Sequence, residues 1–210
     1  MVSSSPPKPP QLSLPLPRRM RQLPRDPRGY PIPWMVFRDK DGRAHFTIND
    51  EAKRTFALLD ELCPICGQKL MATRWFVGGP RSAFDQGGVY SDPPMHGECM
   101  RYALQVCPYL AAPNYSGRID ARTLKKPEPM RLLWDVTQIA DRPALFVAVL
   151  AKGQELRRPQ FYVQPTRPYL RVEYWRYGWR LSEAEGGRIA AEIVASPLPR
   201  LKPVRLLGRS

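Results

Sequence analysis

The chain has 210 residues, 43% of them hydrophobic, with nine Tyr, seven Phe and five Trp, enough apolar mass for one medium domain or two small ones. Its 25 prolines and 14 glycines exclude a single regular helical bundle and predict many turns. The net charge of +14 favours an anionic partner, but most of it sits in two tails, which leaves a mildly basic body.

Residues 1–28 carry Lys8, Arg18, Arg19, Arg21, Arg25 and Arg28 against Asp26, and read as a disordered, basic, Pro-rich arm. They lack the continuous apolar stretch of a secretory signal, and no later run approaches a bilayer span; the expectation is a cytoplasmic protein with no membrane partner. Order is expected from Gly29, where Pro31 and Pro33 hold an extended path carrying Tyr30 and Trp34. Segments 35–38 and 44–48 flank Asp39-Lys40-Asp41-Gly42, a hairpin signal. Asn49 or Asp50 then caps a helix over 51–62 whose buried face is expected at Phe56, Leu58, Leu59 and Leu62.

The knuckle Cys63-Pro64-Ile65-Cys66-Gly67 follows, then a strand over 70–77 and a long loop from Gly78 to Pro94. A helix is expected over 95–106, stopped by Cys107-Pro108. The second half reads as strands over 131–138, 144–150, 160–164 and 170–181, closed by a helix that the capping box Ser182-x-x-Glu185 opens and Ala195 ends. A basic tail occupies 197–210.

Cys63, Cys66, His96 and Cys99 are the metal-ligand candidates. The two-residue spacing of the first pair aims both thiolates at one centre. The three-residue spacing of the second puts both on one face of a helix's first turn. Filling all four positions from protein makes the expected ion a structural Zn2+ with no site left for water. Knuckle, strand, loop and helix N-terminus is the order of a treble-clef-like site. Cys107 lies about 12 Å further along the helix, too far to share the ion.

Two enzyme readings fit the sequence less well. His96-Gly97-Glu98 matches the His-x-Glu of zinc deaminases, but here the Cys-x-x-Cys comes first rather than second. A zinc-supported nuclease would need His45 as a base, and a lone His in a hairpin is a weak candidate. For binding, Arg74, Arg81 and Arg101 lie near the knuckle in sequence. The aromatic-basic stretch 169–180 offers Arg171, Trp175, Arg176 and Arg180 to DNA or RNA, or else packs its aromatics in a core. Read as one strand, that stretch puts Glu173, Trp175 and Trp179 on one face, and Tyr174, Arg176 and Arg180 on the other.

Arg28-Gly29-Tyr30-Pro31-x-Pro33-Trp34, Cys63-x-x-Cys66-Gly67, Phe76-Val77-x-Gly79-Pro80, Pro93-Pro94-x-His96-x-x-Cys99-x-x-Tyr102-Ala103 and Cys107-Pro108-Tyr109-Leu110 together resemble a group of uncharacterised bacterial and phage zinc-binding proteins. The likeness spans residues 24–150. It implies a zinc unit continuous with the Trp34 segment and no particular activity.

The resulting expectation is an α+β protein: a zinc-binding domain over 29–130, a β-rich region over 131–196 with a terminal helix, and a non-enzymatic binding role. Nucleic acid is the first partner and a host protein, engaged by a phage-derived factor, the alternative. The sequence carries no signal for oligomeric state.

Overall fold

A computed structural model describes residues 14–111, 143–157 and 162–197. Expectations for the arm over 1–13, the strand over 131–138 and the tail over 198–210 lie outside the described residues.

The fold is mixed α and β, with its sheets antiparallel. The main sheet has the order β3-β4-β7-β8, formed by Arg74–Gly78, Phe146–Ala151, Arg171–Arg176 and Trp179–Arg180. The apolar run of β4 makes it the central strand: it is buried on both faces, as an unbroken Val- and Ala-rich sequence requires. One sheet face, with Trp75, Phe146, Ala148 and Trp175, packs on Met100 and Leu104 of helix α3 (Gly97–Val106) and on the knuckle cysteines. The opposite face, with Phe76, Val147, Val149 and Tyr174, packs on helix α2 (Pro80–Phe84) and helix α5 (Glu183–Ala195).

Because β3 pairs with β4 over five residue pairs, the sheet crosses the boundary expected at 130/131, and strands from before and after it share one sheet. Residues 14–28 also differ from the expected disordered arm. They carry a 3-10 turn at Arg18–Met20 that buries Met20, with Leu14, Leu16 and Leu23 packed beside it.

Strands β1 (Val36–Arg38) and β2 (Ala44–Asn49) form the expected hairpin. Helix α1 (Glu51–Leu59) is capped by Asp50, whose side chain accepts from the Lys53 N–H, and of its expected face Leu58 is buried while Phe56 and Leu59 are not. Arg54, Ala57 and Leu58 point inward, while Phe56 and Leu59 are 57% and 56% exposed. The inward place of Arg54 comes with a tertiary contact: its guanidinium donates 2.8 Å to the Ser91 carbonyl.

The expected loop over 78–94 contains α2, started by Pro80 at a position where a missing N–H costs nothing. Strands β5 (Gln154–Arg157) and β6 (Tyr162–Pro165) form a second hairpin, tied to the body by mutual backbone bonds between Tyr90 and Val163. A short helix α4 (Pro108–Ala111) follows α3. The continuous strand expected over 170–181 is instead the hairpin β7–β8. Tyr177 and Gly178 take φ of 52° and 83°, and this two-residue turn folds Arg180 back opposite Trp175. Ser182 caps α5 as expected, accepting from the Glu185 N–H.

Candidate metal centre and basic surface

The knuckle is built by backbone. The Gly67 N–H donates 2.8 Å to the Cys63 carbonyl and the Cys63 N–H 2.8 Å to that of Gln68, closing a tight turn. Gly67 adopts φ 72°, and a Cβ there would stand 2.8 Å from Trp34 Cγ, so both conformation and packing demand glycine. The extended segment before β1 is stitched to the same turn, the Trp34 and Met35 N–H groups donating to the carbonyls of Ile65 and Pro64.

On the other side, Trp75 and Met95 exchange both backbone hydrogen bonds, at 3.0 and 2.8 Å, which fixes the residue before His96 against β3. His96 is the N-cap of α3 and Cys99 lies in its first turn. Two independent chain segments thus bring Cys63, Cys66, His96 and Cys99 together with all four ligand atoms within 4.8 Å of one another, close enough to hold a metal ion. Cys63, Cys99 and His96 are buried and Cys66 is half-buried.

The fit can be tested on geometry. Cys66 Sγ lies 3.4 Å from His96 Nδ1. A tetrahedral ion with metal–sulfur and metal–nitrogen bonds of about 2.3 and 2.0 Å would set that edge near 3.5 Å. The other ring nitrogen, His96 Nε2, is 3.0 Å from the Lys69 carbonyl; donating there leaves Nδ1 its lone pair for a metal. Burial works to raise the Cys63 thiol, but hydrogen bonds from Cys66, Cys99 and the backbone overcome it and bring it down to about 3. Those same bonds to its neighbours raise Cys99. Three sulfurs and an imidazole crowded on one centre, beside the positive end of α3, are a donor set that suits a divalent cation.

Cys107 caps the far end of α3 and is not among the clustered donors. The Glu98 carboxylate pairs with Arg19, whose Nε is 2.9 Å from it. His45 pairs with Asp39 at 2.9 Å within the β1–β2 hairpin. Among the described residues neither belongs to the clustered donors.

The expected nucleic-acid residues divide. Arg74 is buried and donates 2.8 Å to Glu61. Arg81 is buried and donates to the carbonyls of Ile193 and Ser196, capping the C-terminal end of α5. Trp175 is 5% exposed, with its indole N–H on Glu173 at 3.3 Å. These three are occupied inside the fold and are corrected out of the expected surface. Arg176 is half-buried, its guanidinium 5.1 Å from the Tyr177 ring.

Arg101, Arg171 and Arg180 are brought together, which the sequence did not indicate. All three face the Glu173 carboxylate, itself 1% exposed: Arg101 at 2.7 Å, Arg171 at 3.8 Å and Arg180 at 3.9 Å. The hairpin turn is responsible, because it moves Arg180 from the face expected for a single strand to the face of Glu173. Arg101 also lies over the Trp75 ring, 5.2 Å from its centroid. Trp34, Arg38 and Lys53, which lie far from the knuckle in sequence, line a groove with Cys66 and Gln68 of the knuckle.

No protein-family model, curated protein or solved structure matches the chain. Among the described residues no helix is long and apolar enough to cross a membrane.

Proposed function

We propose that the chain is a non-enzymatic protein whose Cys63, Cys66, His96 and Cys99 bind one structural zinc ion in a treble-clef-like unit, and that its partner is nucleic acid. The zinc assignment is supported by the donor chemistry: three thiols and an imidazole in a closed tetrahedral set suit zinc better than calcium or magnesium, which take oxygen ligands. The observation that carries the partner assignment is the arginine cluster. Three guanidiniums surround a single carboxylate, and the side chains of Arg171 and Arg180 remain 55% and 49% exposed, offering uncompensated positive charge to phosphates.

Fluorescence anisotropy with labelled DNA and RNA across a salt series tests this. Binding should weaken steeply with salt, and Arg171→Ala with Arg180→Ala should flatten the dependence by about two phosphate contacts. Absent or salt-insensitive binding contradicts the reading.

A protein partner is the second reading, favoured by Phe56 and Leu59, exposed three residues apart on α1. It predicts a specific partner retained after nuclease treatment and lost on Phe56→Ser.

A further inference from the structure

We propose that the groove beside the knuckle seats one nucleotide unit of a single-stranded nucleic acid, a site that rests on the nucleic-acid reading above and gives it a second, concave contact. Four segments meet there: the 19–24 stretch, Trp34 and Arg38 at the start of the first hairpin, α1 through Lys53, and the knuckle through Cys66 and Gln68. Its volume is about 410 Å³. That falls in the range of small-ligand sites, roughly 300–1,000 Å³.

Beside Leu23, Pro24 and Cys66 the lining is basic, aromatic and amide-bearing, and it includes no carboxylate. Arg38 is exposed and its guanidinium has no ion-pair partner among the described residues. Lys53 is held only loosely, 3.8 Å from Asp50. These two cations are placed for a phosphodiester, while Arg19 has its charge engaged by Glu98.

Trp34 supplies the platform. It is half-buried, lies against Gly67 and is fixed by its backbone bond to Ile65, so its ring is held by the metal-binding turn rather than by a loose loop. The Lys53 ammonium stands 5.8 Å from the ring centroid, and a flexible lysine can move to a phosphate as a base stacks on the indole. Gln68 is oriented by two hydrogen bonds with Arg19, at 2.8 and 3.3 Å, and Gln22 lines the same groove. Two amides beside an aromatic ring suit a base edge. A base paired inside a duplex cannot reach such a recess, so an unpaired strand is the ligand the shape admits.

The test uses the zinc-loaded full chain and a labelled oligo-dT of about 12 nucleotides, within the usual footprint of single-strand binders. Arg38→Ala with Lys53→Ala should weaken binding about tenfold and reduce the salt slope by about 1.4, the value for two phosphates on a single strand. Both side chains lie at the surface, and unchanged circular dichroism and zinc content check that the variant folds. Trp34→Phe should bind nearly as well but lose the tryptophan quenching seen on binding.

If the wild type binds and only Arg171→Ala with Arg180→Ala weakens it, the groove proposal is overturned and the nucleic-acid reading stands. Tighter binding of the same sequence as a duplex also overturns the groove. If the wild type binds neither form, both fall.

Discussion

Arg101 closes on the buried carboxylate of Glu173, with Nη2 2.7 Å from Oε1 and Nε 3.3 Å from Oε2, and joins the helix that carries His96 and Cys99 to the third strand of the sheet. The carboxylate is fully desolvated, so its stability depends on this bidentate partner. Removing one member of a buried pair costs about 3–5 kcal/mol, and Arg171 and Arg180 nearby should reduce that. Arg101→Ala is therefore expected to destabilise the protein by about 2–3 kcal/mol, against less than about 1 kcal/mol for the exposed Arg171→Ala. Urea unfolding of the two variants measures the difference; equal effects would contradict this hierarchy.

Two neighbouring glycines of α5 should respond in opposite ways. A Cβ on Gly186 would sit 2.2 Å from Tyr174 Cβ and Cγ, whereas one on Gly187 would meet only the Tyr174 hydroxyl at 3.7 Å. Helix propensity favours alanine at both by roughly 1 kcal/mol. At Gly186 the clash outweighs that gain, and Gly186→Ala should lose about 2 kcal/mol or more. Gly187→Ala should gain up to about 1 kcal/mol. Thermal unfolding distinguishes them by the sign of the shift.

The hydrogen bond from His45 holds the Asp39 carboxyl below its ordinary value of 3.8, partly opposed by burial and aided by the N–H groups of Arg43 and Asp41. A carboxylate with a folded-state pKa below the unfolded one adds stability above the unfolded pKa, and loses it as pH falls through the folded pKa. Asp39→Asn should therefore be less stable than the wild type at neutral pH, with a gap that narrows as the solution is acidified below pH 3.8. Denaturation midpoints across an acid series check this; a gap independent of pH would count against the pairing.

How much could be read in advance depended on whether the determinant was local. The four metal donors were legible because Cys-x-x-Cys and His-x-x-Cys set ligand spacing within a single turn each. Both helix caps, Asp50 and Ser182, were legible for the same reason. The face of α1 was legible at Leu58 but not at Arg54, whose partner, the Ser91 carbonyl, lies 37 residues away. Nor was the arginine cluster. Tyr177 accepts a left-handed conformation that its type disfavours, and this one turn puts Arg180 opposite Trp175, on the face of Glu173. The packing of 14–28 was hidden by irregular spacing of Leu14, Leu16, Met20 and Leu23 among prolines and arginines.

Native mass spectrometry of the purified full chain, with metal analysis on the same sample, addresses the central claim most directly. The account predicts one zinc per folded chain, lost on Cys63→Ser or by chelation together with the ordered near-ultraviolet signal of the aromatic core around the knuckle. A chain that folds and keeps its tertiary signal without metal, or a Cys63→Ser variant that retains zinc at full stoichiometry, would contradict it.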